Sequence, residues 1–179
     1  MRNAFRLPRV KICGLTRVAD IAPVVAAGAE AIGVISHPAS PRHLDLALAR
    51  ALITELPASI PAVAVFVDQS RAEVSEWARR AGVAAVQLCG AESAQEWRDF
   101  ELPILRRLAV DAGAQAELER WRGIALAFVL DHPSSAGGSG REVDLGRAAQ
   151  LARCAPCLLA GGLAPENVAA AIARVRPHG

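Results

Sequence analysis

Arg9-Val10-Lys11-Ile12-Cys13-Gly14-Leu15-Thr16-Arg17-Val18-Ala19-Asp20-Ile21-Ala22-Pro23-Val24-Val25-Ala26-Ala27-Gly28 is the stretch from which the fold is read. Its first five residues form a short apolar, β-branched run of strand character. The segment 18–27 has helical periodicity, with Thr16 as the expected N-cap and Gly28 as the stop. One strand and one helix in succession make a βα unit, and the rest of the chain repeats it. Further strands are predicted over 31–35, 62–67, 84–88, 104–109, 126–130 and 157–160. Helices are predicted over 46–55, 71–81, 94–100, 115–122, 145–153 and 166–175. Strands separated by helices pair in parallel through right-handed crossovers, so the expected fold is α/β with a parallel sheet.

Such a sheet is either open and doubly wound or rolled into a barrel, and the position of the unusual residues separates the two. They follow strands directly: Cys13-Gly14, the loop 36–42, the loop 131–140 and Gly161-Gly162. A barrel gathers all its post-strand loops on one face, whereas an open sheet uses only those beside its switch point. Sites after the first, second, sixth and seventh strands favour the barrel. No Gly-x-Gly-x-x-Gly follows the first strand. The expectation is a single (β/α) barrel domain over 1–179, with seven βα units read along the chain.

Composition narrows the function class. Twenty Lys and Arg balance eighteen Asp and Glu and are spread along the chain, so there is no basic stripe for nucleic acid. Apolar runs such as 22–29 and 124–130 fall well short of the roughly 20 residues that span a bilayer. The N-terminus carries Arg2, Arg6 and Arg9 without an apolar h-region, so no signal peptide is read and a cytoplasmic location is expected. The cysteines are then expected to stay reduced. Cys154-Ala155-Pro156-Cys157 has the spacing of a redox centre or zinc knuckle, but no second ligand pair accompanies it. His37, His43, His132 and His178 show no paired spacing, so no metal is expected and packing in a strand is the preferred role for this pair.

Four places carry candidate chemistry. Cys13 ends the first strand before a glycine, where a thiol near helix N-termini can supply thiolate near neutral pH; simple packing is the competing reading. Asp131 ends the sixth strand and must pair, cap the following turn, or act as a proton donor. Gly161 and Gly162 follow the seventh strand and offer backbone amides beside a helix expected to begin at Pro165, an arrangement suited to phosphate; a plain tight turn is the alternative. Gly137 and Gly138, in Gly137-Gly138-Ser139-Gly140, belong to a lid or to a ligand contact. Arg42, after the second strand, is placed to grip a carboxylate or to stand in solvent. His43 and His132 receive no role.

Taken together, Lys11-Ile12-Cys13-Gly14, Pro38-Ala39-Ser40-Pro41-Arg42, Val86-Gln87-Leu88, Leu130-Asp131 with the glycine-rich loop, and Ala160-Gly161-Gly162-Leu163-Ala164-Pro165-Glu166-Asn167-Val168 resemble the phosphoribosylanthranilate isomerase family, in order and spacing, from Arg9 to Gly179. The resemblance implies a cofactor-free Amadori rearrangement of N-(5-phosphoribosyl)anthranilate to the 1-deoxyribulose 5-phosphate in tryptophan biosynthesis. In that reading Asp131 is the general acid that opens the ribose ring and Cys13 the general base that removes the C2 proton. Arg42 holds the anthranilate, and the glycines Gly137, Gly138, Gly161 and Gly162 hold the rest of the phosphosugar substrate.

Three departures qualify the transfer. Cys89 stands where the family usually has histidine. An arginine, near Arg106-Arg107, replaces a lysine common in the fifth strand. The family's eighth strand and helix have no counterpart after Gly179. An unclosed barrel is expected to leave the first and seventh strand edges unpaired, so the chain is read either as part of a longer protein or as one that self-associates into a homo-oligomer. Two other functions stay open: a non-catalytic protein binding a phosphosugar or anthranilate, and an isomerase of a related phosphosugar.

Overall fold

The computed structural model describes residues 5–133 and 141–179. Gly137 and Gly138 therefore lie outside the described residues. By their contacts the chain forms two compact units, one ending at Ile104 and the other beginning at Leu105.

The first unit contains β1 (Lys11–Cys13), β2 (Ala31–Ile35), β3 (Ala62–Phe66) and β4 (Ala85–Leu88), paired in parallel and in chain order. Every residue of β2, β3 and β4 is buried, as expected of parallel strands covered on both faces. Helices α1 (Ile21–Ala26), α2 (Leu46–Thr54) and α3 (Arg71–Ala81) connect them. The local signals are legible in the bonds. Asp45 caps α2 by accepting from the Leu48 amide. Ser70 and Glu73 form a reciprocal capping box on α3, and Gly82 ends that helix at φ 79°. Phe66 meets Trp77 of α3 edge-on at 5.4 Å, fixing the helix against its strand.

Two expectations in this unit need correction. Thr16 is not a cap. The chain takes a 3-10 turn over Val18–Asp20 before α1 begins. A continuous α-helix through Pro23 would drive its ring into the carbonyl four residues earlier, which explains the restart. Gly28 does stop the helix, at φ 94°: its amide bonds to Val25 and the Ala29 amide to Val24, a Schellman ending. The helix expected over 94–100 is only a 3-10 turn, Ala94–Trp97. Asp99 at φ 57° breaks it, and the Arg71 guanidinium from α3 donates to the carbonyls of Glu96, Arg98 and Asp99 in place of helical amides. Trp97 is buried and packs edge-on against Phe100.

The second unit holds β5 (Ile104–Ala109), whose first residue closes the first unit, then β6 (Ala127–Asp131) and β7 (Cys157–Leu159), again parallel and in chain order. Its helices are α4 (Ala114–Trp121), α5 (Leu145–Ala152) and α6 (Val168–Val175). Pro165 does not open α6, which starts three residues later than a helix begun there. The Asn167 side chain accepts from the Ala164 amide and donates to the Gly162 carbonyl, holding a turn ahead of the helix. The β7 edge is also less bare than expected: the His178 amide donates to Cys157 and the Leu159 amide to Gly179, so the last residues continue the ladder. Among the described residues no helix is long and apolar enough to cross a membrane.

Candidate active site

Cys13 stands half-buried at the C-terminal end of β1, and the strand beside it is shaped around its side chain. A Cβ on Gly33 of β2 would lie 2.7 Å from the Cys13 sulfur and 3.1 Å from Lys11 Nζ, so only glycine leaves room for both. Cys13 packs against a buried cluster of Ile35, Val65 and Cys89, as does Val67. Gly33 is a site residue that the sequence reading missed. Its signal was a glycine in the middle of an apolar strand.

Arg42 belongs to the same place. Its Nη1 donates to the Cys13 carbonyl at 2.7 Å, and its guanidinium covers Gly14, where a Cβ would meet Nη1 at 2.5 Å. Gly14 also sits at φ 84°, so both the backbone and the arginine demand glycine there. The Arg42 backbone is held in turn, its amide donating to the Ser40 hydroxyl. Among the described residues that carbonyl is the only hydrogen-bond partner of the Arg42 side chain, and its other N–H groups are unpaired. Arg42 is thus tied to the tip of β1 and is not a solvated arginine.

Cys89, in the place of the family histidine, is buried, and its sulfur accepts from Gln87 Nε2 at 3.2 Å. Among the described residues the Gln87 Oε1 has no hydrogen-bond partner. What an imidazole would present as a polar ring is here part of an apolar cluster.

In the second unit, Asp131 ends β6 with its side chain 14% exposed. Of the roles open to it, the structure shows pairing and turn capping. Oδ2 accepts from Arg107 Nε at 3.2 Å, and Oδ1 accepts from the His132 amide at 2.8 Å. Gly161 stands against it: a Cβ there would come within 2.8 Å of Oδ1, and φ is 79°. Gly162 follows at φ 66°, with the backbone of Arg141 and Glu142 where a Cβ would go. Both glycines are therefore required by close approach as well as by backbone conformation. Among the described residues no acceptor takes the amides of Gly161, Gly162 or Leu163.

The arginine pair of β5 divides between two faces, as strand alternation demands. Arg107 faces Asp131. Arg106 faces α4, bonding Glu117 Oε1 at 3.0 Å and stacking over Trp121 at 4.7 Å. The Cys154–Cys157 pair has no such surroundings. Both are free thiols, and burial followed by the neighbouring Cys154 pushes the Cys157 thiol up to about 12. A group so hard to ionise is a packing residue, as expected of it, whereas Cys154 is exposed in the turn after α5 and does not pack in the strand. Among the described residues no cluster of three or more His, Cys, Asp or Glu could hold a metal ion.

A family model described as N-(5'phosphoribosyl)anthranilate (PRA) isomerase matches residues 10–179. The N-(5'-phosphoribosyl)anthranilate isomerase of Pseudomonas fluorescens is 41% identical over 177 residues, covering 95% of this chain and 82% of the relative. That of Chromohalobacter salexigens is 40% identical over 183 residues, covering 99% and 84%. Among solved structures, the phosphoribosyl anthranilate isomerase of Thermus thermophilus aligns with a TM-score of 0.84 at 33% identity, covering 95% of this chain and 84% of that one. A phosphoribosyl anthranilate isomerase in complex with reduced 1-(o-carboxyphenylamino)-1-deoxyribulose 5-phosphate aligns at 0.83 and 29%, covering 96% and 84%. The fold is of the (β/α)8 TIM-barrel type, with seven of its strands among the described residues. The chain belongs to the N-(5'-phosphoribosyl)anthranilate isomerase family.

Proposed function

We propose that this chain catalyses the Amadori rearrangement of N-(5-phosphoribosyl)anthranilate to 1-(2-carboxyphenylamino)-1-deoxyribulose 5-phosphate, in tryptophan biosynthesis. The observation that carries the reading is Asp131, the residue matching the family's acid, held at the end of β6 by one donor on each oxygen. Asp131 gives a proton to the ribose ring oxygen as the anilino nitrogen's lone pair opens the C1–O bond, leaving a protonated Schiff base. Cys13, as thiolate, takes the proton from C2, and the electron pair of that C–H bond neutralises the Schiff base to an enolamine. Protonation at C1 and loss of the C2 hydroxyl proton give the ketone. Substrate and product are isomers, so the two proton-transfer groups suffice and no cofactor enters.

The remaining groups bind. The unused N–H groups of Arg42 suit the anthranilate carboxylate in a two-pronged contact. The amides of Gly161 and Gly162 suit the phosphate. Gly137 and Gly138 remain assigned to the same substrate from the sequence alone. We further propose a cytoplasmic protein forming one domain over 1–179, with no nucleic-acid partner. It is expected to form a homo-oligomer, since the Thermotoga maritima relative is described as dimeric; size-exclusion chromatography reads that directly.

The test of function is the loss of substrate fluorescence, with substrate generated in situ, for this chain and for Asp131→Asn. Loss of a general acid lowers kcat by about 10²–10⁴-fold. Full turnover by Asp131→Asn overturns the assignment of the acid. A folded parent chain without turnover overturns the enzyme and leaves a binding protein.

A further inference from the structure

Arg107 is a charged side chain only 12% exposed, on a strand whose neighbouring residues are largely buried, and a charge so placed needs compensation. It finds two acceptors in one segment. Nε donates to Asp131 Oδ2 at 3.2 Å, and Nη2 donates to the His132 carbonyl at 2.7 Å. The strand register explains the reach. Ala109 is the partner of Asp131 and Arg107 the partner of Val129, so Arg107 stands two residues below Asp131 on the same face of the β5–β6 pair. The long side chain rises along that face to meet the carboxylate.

The carboxylate is thereby bound from two sides. Arg107 takes one oxygen, and the His132 amide takes the other at 2.8 Å. Gly161, lacking a Cβ, leaves the space beside Oδ1 open. Because Arg107 also holds the His132 carbonyl, it fixes the carboxylate and the peptide that binds it as one body. Each carboxylate oxygen keeps a further lone-pair direction from which a proton can be delivered. Arg106, one residue earlier, shows that an arginine on this strand need not do this: its charge is spent on Glu117 and Trp121 of α4.

From this we infer that Arg107 is a positioning residue for the Asp131 proton donor, setting the orientation of its carboxyl group through the paired contacts to Asp131 and His132. The inference rests on Asp131 being the acid of the proposed reaction. Orientation acts on the chemical step and not on ground-state binding, so its loss belongs in kcat.

The experiment compares the parent chain, Arg107→Met, Arg107→Lys, Asp131→Asn and the Arg107→Met/Asp131→Asn double variant, with melting curves to confirm folding. Arg107→Met is expected to lower kcat by about 10–100-fold with KM within about threefold. Arg107→Lys recovers a large part of the loss, since it keeps a charge for Oδ2 but lacks the second prong. In the Asp131→Asn background, Arg107→Met causes no further loss, because the group it orients is gone. If Arg107→Met does not fold, Arg107→Gln, which keeps polar reach without charge, takes its place in every comparison. An unchanged kcat, or a second equal loss in the Asp131→Asn background, overturns the positioning role and leaves a structural ion pair. Full turnover by Asp131→Asn, or none by the folded parent, instead overturns the functional reading, and the inference with it.

Discussion

Cys157 shows how much a single residue's surroundings decide. Its spacing from Cys154 is that of a redox pair, and both are free thiols, yet Cys157 is buried in β7 and Cys154 is exposed in the turn after α5. With its thiol pushed up to about 12 by burial, Cys157 supplies almost no thiolate near neutral pH. Iodoacetamide at pH 8 is expected to alkylate Cys154 in the native protein and to reach Cys157 only after unfolding, as read by peptide mass spectrometry. Equal rates at the two would show that β7 does not shield its cysteine. Gly161 makes the complementary case. A glycine doublet after the seventh strand was legible in the sequence as a tight, amide-rich turn. That Gly161 must also clear the Asp131 carboxylate was not, because the contact joins residues 30 positions apart. Gly161→Ala places a methyl 2.8 Å from Oδ1 at φ 79°, so it is expected both to lower the melting temperature and to reduce kcat. Wild-type kcat in this variant would show that the carboxylate has freedom to move.

At the scale of elements, those with strong local signals matched the sequence reading best. The α3 bounds, Arg71–Ala81, are those expected, because Ser70, Glu73 and Gly82 mark both ends by short-range bonds. Ser70→Ala removes one half of that box and is expected to reduce stability by about 1 kcal/mol, with little change in the slope of a urea denaturation curve. A change below a few tenths would mean that Arg71 and the packing of Trp77 hold the helix start without the cap. Strands β2 and β5 likewise fall where their apolar runs predict. The misplaced elements are those where a distant or competing group intervenes. Pro23 divides the first helix into a 3-10 turn and α1. Arg71 satisfies the carbonyls of residues 96, 98 and 99 and thereby spares that segment from being a helix. Asn167 delays α6.

For the molecule as a whole, the buried charges set how stability responds to acid. Glu117 links α4 to β5, accepting from Arg106, Arg120 and the Trp121 indole. Burial alone would raise its pKa, but the hydrogen bonds from Arg120 and Arg106 outweigh that and hold it below the ordinary glutamate value of 4.5. A depressed carboxylate contributes stability that is fully present above 4.5 and is lost as pH falls through the folded value. Glu117→Gln is therefore expected to lower the urea midpoint at pH 7 and to flatten its decline below pH 4.5. An unchanged acid profile would show that other carboxylates dominate. The order of strands and helices, the parallel pairing, the barrel class and the family were all written in the sequence, because they depend on periodicity, turn residues and motifs a few residues long. Cys13, Arg42, Asp131 and the Gly161-Gly162 doublet stood out as candidates for the same reason, each lying at the C-terminal end of a strand or in the loop that follows one. The surroundings that give these residues their geometry were not: Gly33 making room for Cys13, Arg42 reaching back to the β1 tip, and Arg107 rising to Asp131. Those contacts join residues well separated in the chain, on paired strands or in the loop after β2, and only the tertiary fold, through parallel register and the alternation of faces, decides which side chains meet.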